Sequence, residues 1–275
     1  LSVPPDVTTA QSPTPPPLER LRALGLIFHE RSTDRIFIPT DLIPRLPAPS
    51  SSSPPEGDIL SGALLPTDLV CHDLAYLLAL LQRDDIQPLH GRWLPPRFLA
   101  TWGQHCLAPP VLAKAGSELQ TGRRLFLHYL AQSAGLLRPG NAYLKPTPAA
   151  WLWLKASHTE RLQTLWQTWT DPEPSLWRLF RLPGFDWLAR PVALLDPIHQ
   201  GLNEIDPADP ALFATNWLKR QPHLLELVPA NMLDPVELLT ETISALLAGP
   251  LTWLGLLEGD DGLSLTSQGR AWLDP

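Results

Sequence analysis

Apolar residues recur along most of the chain at the three- and four-residue spacing of an amphipathic helix. The segment 68–83 is the clearest case, because Val70 and four leucines form one stripe and Asp68 can cap the first turn. The segment 117–133 has the same pattern and is followed by Gly135, a residue typical of helix ends. Further helices are predicted over 18–24, 95–106, 148–169 and 234–247. The chain is therefore expected to be mainly helical.

One pattern occurs three times, in residues 18–46, 125–154 and 246–273. Each copy has an apolar helix that ends in Gly-Leu, two short strands joined by a polar turn, and a Thr or Pro-Thr before a new helix. The second strands are predicted at 36–38, 142–144 and 263–265. This order of elements is the second half of a winged-helix unit. The predicted fold class is mainly α with short β-hairpins, arranged as tandem winged-helix (helix-turn-helix) units.

Stretches rich in proline and serine divide the chain into units. Residues 1–17 are expected to be a disordered tail and residues 47–67 a linker, because their composition buries too little apolar surface to offset the entropy of ordering. The predicted units are a partial winged helix at 18–46, a central winged-helix domain at 68–170, and an acidic helical domain at 171–275 that ends in a winged-helix-like hairpin.

The central unit can be completed from the sequence. Helix 68–83 is its first helix, and a short strand is expected at 87–89 or 93–94. Helices 95–106 and 117–133 then form the helix-turn-helix, with 136–144 as the wing.

Composition and charge narrow the class of protein. The chain has 275 residues, of which 44% are hydrophobic, and only two cysteines, so it is expected to fold without disulfides and to be cytoplasmic. No apolar run is long enough to cross a membrane, and no membrane partner is predicted.

The net charge is −7, but residues 86–145 contain seven basic residues and one acidic residue. Residues 171–275, in contrast, contain six basic and fifteen acidic residues. A polyanion is therefore expected to bind at 86–145 only.

The run from 135 to 169 carries a family resemblance. A Thr-Pro turn follows the wing at Thr147, and the helix after it contains Ala-Trp-Leu, a Glu-Arg-Leu step and a Leu-x-x-x-Trp end. The matching residues are Thr147, Pro148, Ala150, Trp151, Leu152, Glu160, Arg161, Leu162, Leu165 and Trp169. This run resembles the winged-helix regions of bacterial and archaeal proteins grouped with the N-terminal domain of XPB-type helicases. The resemblance covers about residues 68–170 and implies a DNA-associated or helicase-associated accessory module. The chain has no GxxxxGK[ST] loop, so motor activity is not implied.

Candidate nucleic-acid contacts follow from the predicted recognition helix and wing. Arg123 and Arg124 lie on helix 117–133, off the apolar stripe, and at least one of them is expected to point outward toward phosphates or guanine edges. The further candidate residues are His128, Arg138, Asn141, Lys145 and Arg97. Replacing both arginines with glutamate is expected to abolish polyanion binding and to leave the fold intact.

The sequence gives weaker support for metal binding, base stacking and catalysis. Cys71-His72 and His105-Cys106 contain zinc-ligand residue types, but adjacent residues on a helix point apart, so no metal and no other cofactor is expected. The tryptophans between 151 and 187 are interleaved mainly with leucine, which favours core packing over base stacking. No catalytic motif is present, and an enzyme is not expected.

Two functions remain open at this point. The first is a non-catalytic nucleic-acid-binding accessory protein that binds DNA, or RNA, through residues 86–145. The alternative is a protein–protein interaction scaffold of tandem winged helices that holds its partner through the acidic, leucine-rich residues 171–275.

Overall fold

The fold was analysed in a computed structural model of the chain. It describes residues 28–30, 35–37, 66–107, 116–139, 143–171, 184–185, 187–188, 192–259 and 262–273. The predicted tail 1–17, the helix 18–24, most of the linker 47–67 and the candidate residue Asn141 lie outside the described residues.

The described residues are mainly helical, as the sequence predicts. The α-helices are α1 (Pro66–Arg83), α2 (Pro96–Gly103), α3 (Arg123–Ser133), α4 (Pro148–Lys155), α5 (His158–Thr170), α6 (Val192–Glu204), α7 (Pro210–Arg220), α8 (Pro235–Leu246) and α9 (Ser267–Leu273). Two 3₁₀ segments lie at Glu118–Gln120 and Pro222–Leu227, and a π-helical turn at Leu247–Leu251 follows α8. None of the described helices is long and apolar enough to cross a membrane.

Helix α1 begins two residues before the predicted start, and α8 begins after Asp234, whose carboxylate accepts a hydrogen bond from the backbone N–H of Glu237 at 2.9 Å. A proline follows that cap, in the position where its missing N–H costs nothing. The predicted cap at Asp234 is confirmed, whereas Asp68 lies inside the first turn of α1 and the prediction that it caps this helix is wrong.

Two predicted helices are each divided in the structure. The segment 117–133 consists of the 3₁₀ turn and α3, separated by Gly122 at a φ of 50°. The segment 148–169 consists of α4 and α5, because Ser157 starts a new helix with a capping box. Its side chain accepts from the backbone N–H of Glu160, and the Glu160 carboxylate accepts from the backbone N–H of Ser157 at 2.8 Å.

Three antiparallel strand pairs lie in the described residues, one in each copy of the repeated pattern. They are β1 (Phe28–Glu30) with β2 (Arg35–Phe37), β3 (Leu137–Pro139) with β4 (Leu144–Pro146), and β5 (Leu257–Glu258) with β6 (Ser264–Leu265). The short hairpins predicted from the sequence are confirmed.

The second and third copies share a hydrogen-bond pattern around their hairpins. Gly135 and Gly255 end the preceding helices at φ values of 67° and 77°, where a side chain is unfavourable. The hydroxyl of Thr147 donates to the carbonyl of Gly135 at 2.6 Å, and that of Thr266 donates to the carbonyl of Gly255 at 2.7 Å. Each threonine oxygen also accepts a backbone N–H from the first turn of the next helix. One threonine thus closes the hairpin and starts the following helix in both copies.

A short connection after α1 pairs with the hairpin β3–β4. The backbone N–H of Leu144 donates to the carbonyl of Ile86 at 3.0 Å, so Ile86 takes the position of a third strand beside β4. The predicted strand at 87–89 or 93–94 is instead a tight turn in which Leu89 pairs with Trp93, and His90 and Gly91 have positive φ.

One continuous hydrophobic core runs through the described residues, from Val70 in α1 to Leu263 beside β6. Its largest fully buried aromatic side chains are Trp102, Trp169 and Trp217. Trp169 and Trp153 belong to the tryptophan cluster for which core packing was expected, and both are buried. The core contains residues from both sides of the predicted boundary at 170 and 171.

Candidate functional site

Helix α3, the predicted recognition helix, lies inside the protein. Residues 124–132 are all buried. The ring of Phe126 packs edge-on against the ring of Trp169 in α5, with 5.1 Å between the ring centroids. Its centroid lies 5.4 Å from that of Trp253, which follows the π-helical turn. A helix that is covered by other helices in this way has no face left to enter a nucleic-acid groove.

Arg124 is a structural residue of this core. It is 9% exposed, and its guanidinium donates to the carbonyl of Leu99 in α2 at 2.7 Å. Gly103 at the end of α2 leaves room for the guanidinium, since a Cβ there would lie 2.3 Å from its Nη1. The expectation that Arg124 is available on an exposed face is therefore wrong. The apolar stripe of α3 does not by itself show that α2 covers the side of the helix that carries Arg124.

Arg123 is half-buried and forms an ion pair with Asp73 of α1, which is fully buried. The other oxygen of Asp73 accepts a hydrogen bond from the backbone N–H of Leu107 at 2.8 Å and lies 3.2 Å from Nδ1 of His72. Burial raises the pKa of Asp73, but the hydrogen bond with His72 and the charge and hydrogen bond of Arg123 outweigh it and hold the pKa below its usual value. Arg123 thus stabilises a buried carboxylate for which the sequence contains no local signal.

His128 belongs to a second buried polar group. Its Nδ1 lies 2.6 Å from one carboxylate oxygen of Glu118, and its Nε2 lies 2.8 Å from the amide nitrogen of Gln132. The second oxygen of Glu118 accepts the backbone N–H of Leu94 at 2.6 Å. The expectation that His128 contacts nucleic acid is wrong, because its side chain is fully buried.

The remaining candidates differ in exposure. Lys145 on β4 pairs with Asp85 at 2.6 Å and reaches the carbonyls of Leu81 and Asp84 at 3.3 and 3.2 Å, which connects the hairpin to the end of α1. Arg97 on α2 and Arg138 on β3 are exposed. Of the seven candidates, these two arginines are the described side chains that remain open to an external anion.

The cysteine–histidine pairs come together without forming a metal site. The Tyr76 ring lies 4.7 Å from the His105 ring and 6.4 Å from the His72 ring. Burial, together with the charge of Asp73, raises the pKa of the Cys106 thiol to about 12, so it is protonated at neutral pH. Within the part of the chain that the structure describes, no three of His, Cys, Asp and Glu are grouped so that they could hold a metal ion.

A different surface is exposed and apolar. It comprises residues 227–236, between the 3₁₀ segment and the first turn of α8, and is called the 227–236 surface below. Leu233 is fully exposed, Val236 is 51% exposed, and Leu227 and Met232 are each 38% exposed. Val228, next to Leu227, is buried and anchors this end of the segment to the core. The sequence predicts partner binding, in its second interpretation, within 171–275, and the apolar residues between Pro229 and Pro235 are the signal that could have located it.

A shallow depression lies elsewhere in the C-terminal region. It has a volume of about 330 Å³ and lies between the end of α6, the strand β6 and Arg270 of α9. Arg270 donates to the carbonyl of Leu265, and Glu204 pairs with Arg220 at 3.1 Å. The charged groups at this depression are thus engaged with the protein itself.

Comparison with known protein families, curated proteins and solved structures gives no match to this chain.

Proposed function

We propose that this chain is a non-catalytic protein-interaction module that binds its partner through the 227–236 surface. The single observation that carries the proposal is the exposure of four large apolar side chains within ten residues, with Leu233 entirely in water. Covering an exposed leucine side chain contributes about 2 kcal/mol, so Leu233 can supply a substantial part of the affinity for a partner. A group of exposed large apolar side chains in one short segment is typical of interaction sites on proteins.

The proposal keeps the winged-helix interpretation for the central unit. The order α1, Ile86, α2, α3 and the hairpin β3–β4 agrees with that of a winged helix, with Ile86 beside β4 as the third strand. The resemblance to the helicase-associated winged-helix regions is compatible with this order. Because α3 is covered, the unit would act as a scaffold that supports the C-terminal surface rather than as a groove-reading domain.

Site-specific photo-crosslinking tests the proposal. A photoreactive phenylalanine analogue is placed at position 233, and the full chain is irradiated in cells of its source organism. Leu152 on α4, which is 71% exposed, gives the matched control position. We expect a cross-linked product of discrete mass from position 233 and none of that mass from position 152. The absence of a discrete product at 233, or identical products at both positions, contradicts the proposal.

Nucleic-acid binding is the second candidate function, and the exposure of Arg97 and Arg138 on the central unit favours it. These cations belong to the segment 86–145, with its seven basic residues and one acidic residue. Binding to a labelled duplex through phosphates is expected to weaken steeply between about 50 and 200 mM salt. The variant R97E/R138E is expected to lose that binding, whereas K219E, at an exposed lysine of α7, keeps it. No binding by the wild-type chain at low salt rejects this candidate.

A further inference from the structure

The charged side chains within the 227–236 surface and at its two ends are acidic. Asp234, Glu237 and Glu241 follow one another at three- and four-residue spacing, so they lie along one side of α8. Glu226 lies at the other end of the surface, in the 3₁₀ segment that precedes it. All four are exposed. The apolar residues are therefore flanked by carboxylates at both ends.

The sequence around this surface contains no compensating cations. Residues 221–269 include seven acidic residues and neither lysine nor arginine. The nearest preceding cations are Lys219 and Arg220 at the end of α7, and Arg220 already pairs with Glu204. The stretch of sequence that carries the 227–236 surface is therefore strongly acidic, and such a stretch attracts cations and repels anions.

From this combination we infer that the partner is a basic, amphipathic protein segment, with aliphatic side chains that cover Leu233 and Val236 and with Lys or Arg side chains that meet the flanking carboxylates. The inference rests on the proposed function, because it specifies the chemistry of the partner at the same surface. Apolar contact supplies the affinity, while the charges at the edge set the association rate and exclude acidic competitors.

Two designed peptides serve as the probes. Both are 18 residues long with leucine at the same helical positions, and the polar positions are lysine in one and glutamate in the other. Binding to the full chain is measured by fluorescence anisotropy at low salt. We expect the lysine peptide to bind at least about tenfold more tightly than the glutamate peptide, and we expect this ratio to fall as salt is raised.

Two variants of the chain separate the apolar and the charged contributions. L233S/V236S is expected to weaken binding of the lysine peptide at least about tenfold, whereas L152S, at an exposed leucine of the central unit, leaves it unchanged. E226K/E241K is expected to reduce or reverse the preference between the peptides, whereas E258K on β5 does not. Glu237 is left in place because it lies in the first turn of α8, where a lysine would weaken the helix. Unfolding midpoints of all variants confirm that each one folds.

The outcomes distinguish the inference from the function on which it rests. If both peptides bind equally, or the glutamate peptide binds more tightly, and L233S/V236S still weakens them, the basic partner is wrong and the interaction surface stands. If neither peptide binds, the inference is overturned, and the cross-linking experiment alone decides the proposed function. If the lysine peptide binds and L233S/V236S does not change its affinity, the peptide binds elsewhere and the inference is overturned, while the cross-linking experiment decides the proposed function.

Discussion

Replacing Arg123 with glutamine removes the cation that faces the buried carboxylate of Asp73. Asp73 is fully buried, and the side chain of Arg123 is 13% exposed. Removing one partner of a buried ion pair costs about 3–5 kcal/mol, because the other charge remains in a medium of low dielectric constant. Asp73 keeps the hydrogen bond from the backbone N–H of Leu107, and Arg123 is partly in contact with water. We therefore expect the lower end of that range, a loss of about 3 kcal/mol in the free energy of unfolding.

The size of this loss depends on pH, because Asp73 forms an ion pair with Arg123 only when its carboxyl group is deprotonated. Its pKa in the folded protein is below the ordinary value. A carboxylate of this kind stabilises the fold above its unfolded pKa of about 3.9, and this stabilisation is lost as pH falls through the folded pKa. The difference between the wild type and R123Q is expected to be largest near neutral pH and to shrink below about pH 4.

Urea unfolding followed by tryptophan fluorescence measures the effect, since the chain contains eleven tryptophans. The control R97Q removes an exposed arginine and is expected to change the free energy of unfolding by no more than about 0.5 kcal/mol. The double variant D73N/R123Q is expected to lose less than the sum of the two single losses, because the two groups interact directly. Equal unfolding midpoints for R123Q and R97Q would refute the structural role of Arg123. The same reasoning reverses the expectation that R123E/R124E leaves the fold intact.

Two further predictions concern backbone conformation and thiol chemistry. G135A is expected to lower the free energy of unfolding by about 1–2 kcal/mol, because of the positive φ alone. G255A is expected to lower it clearly more, because its Cβ would also lie 2.3 Å from Cγ2 of Thr67. Equal shifts of the urea midpoint for the two variants contradict this. Cys106, whose pKa is raised to about 12, and the buried Cys71 are expected to react slowly with a thiol reagent at pH 8 in the folded protein and rapidly in denaturant. Rapid reaction of the folded protein contradicts the burial of these thiols.

The features that the sequence predicts well depend on residues close together in the chain. The hairpins follow from Gly-Leu at a helix end and from a threonine 11 or 12 residues after the glycine, and the hydrogen bonds of Thr147 and Thr266 explain why this spacing recurs. Helix α8 follows from a local cap at Asp234. Such signals are complete within one segment, so periodicity and cap chemistry are sufficient to find them.

The candidate site depends on contacts that are distant in sequence, and most of it was not predictable. The apolar stripe of α3 predicts that at least one of Arg123 and Arg124 points outward, yet the partners of these arginines are 50 and 25 residues away in sequence. One local signal did exist: apolar residues occupy positions 125, 126, 127, 129, 130 and 131, which is too many for a helix with one solvated face. That density indicates a helix enclosed on all sides.

The central position of α3 has a consequence for cooperativity. Phe126 packs against both Trp169 and Trp253, and Thr67 at the start of α1 lies against Gly255, just before the last hairpin. A chain cut after residue 171 would remove the Trp253 ring from Phe126 and would remove the neighbour of Thr67. The two halves of the described core are therefore expected to unfold together in a single transition, although one half contains the basic segment 86–145 and the other is acidic.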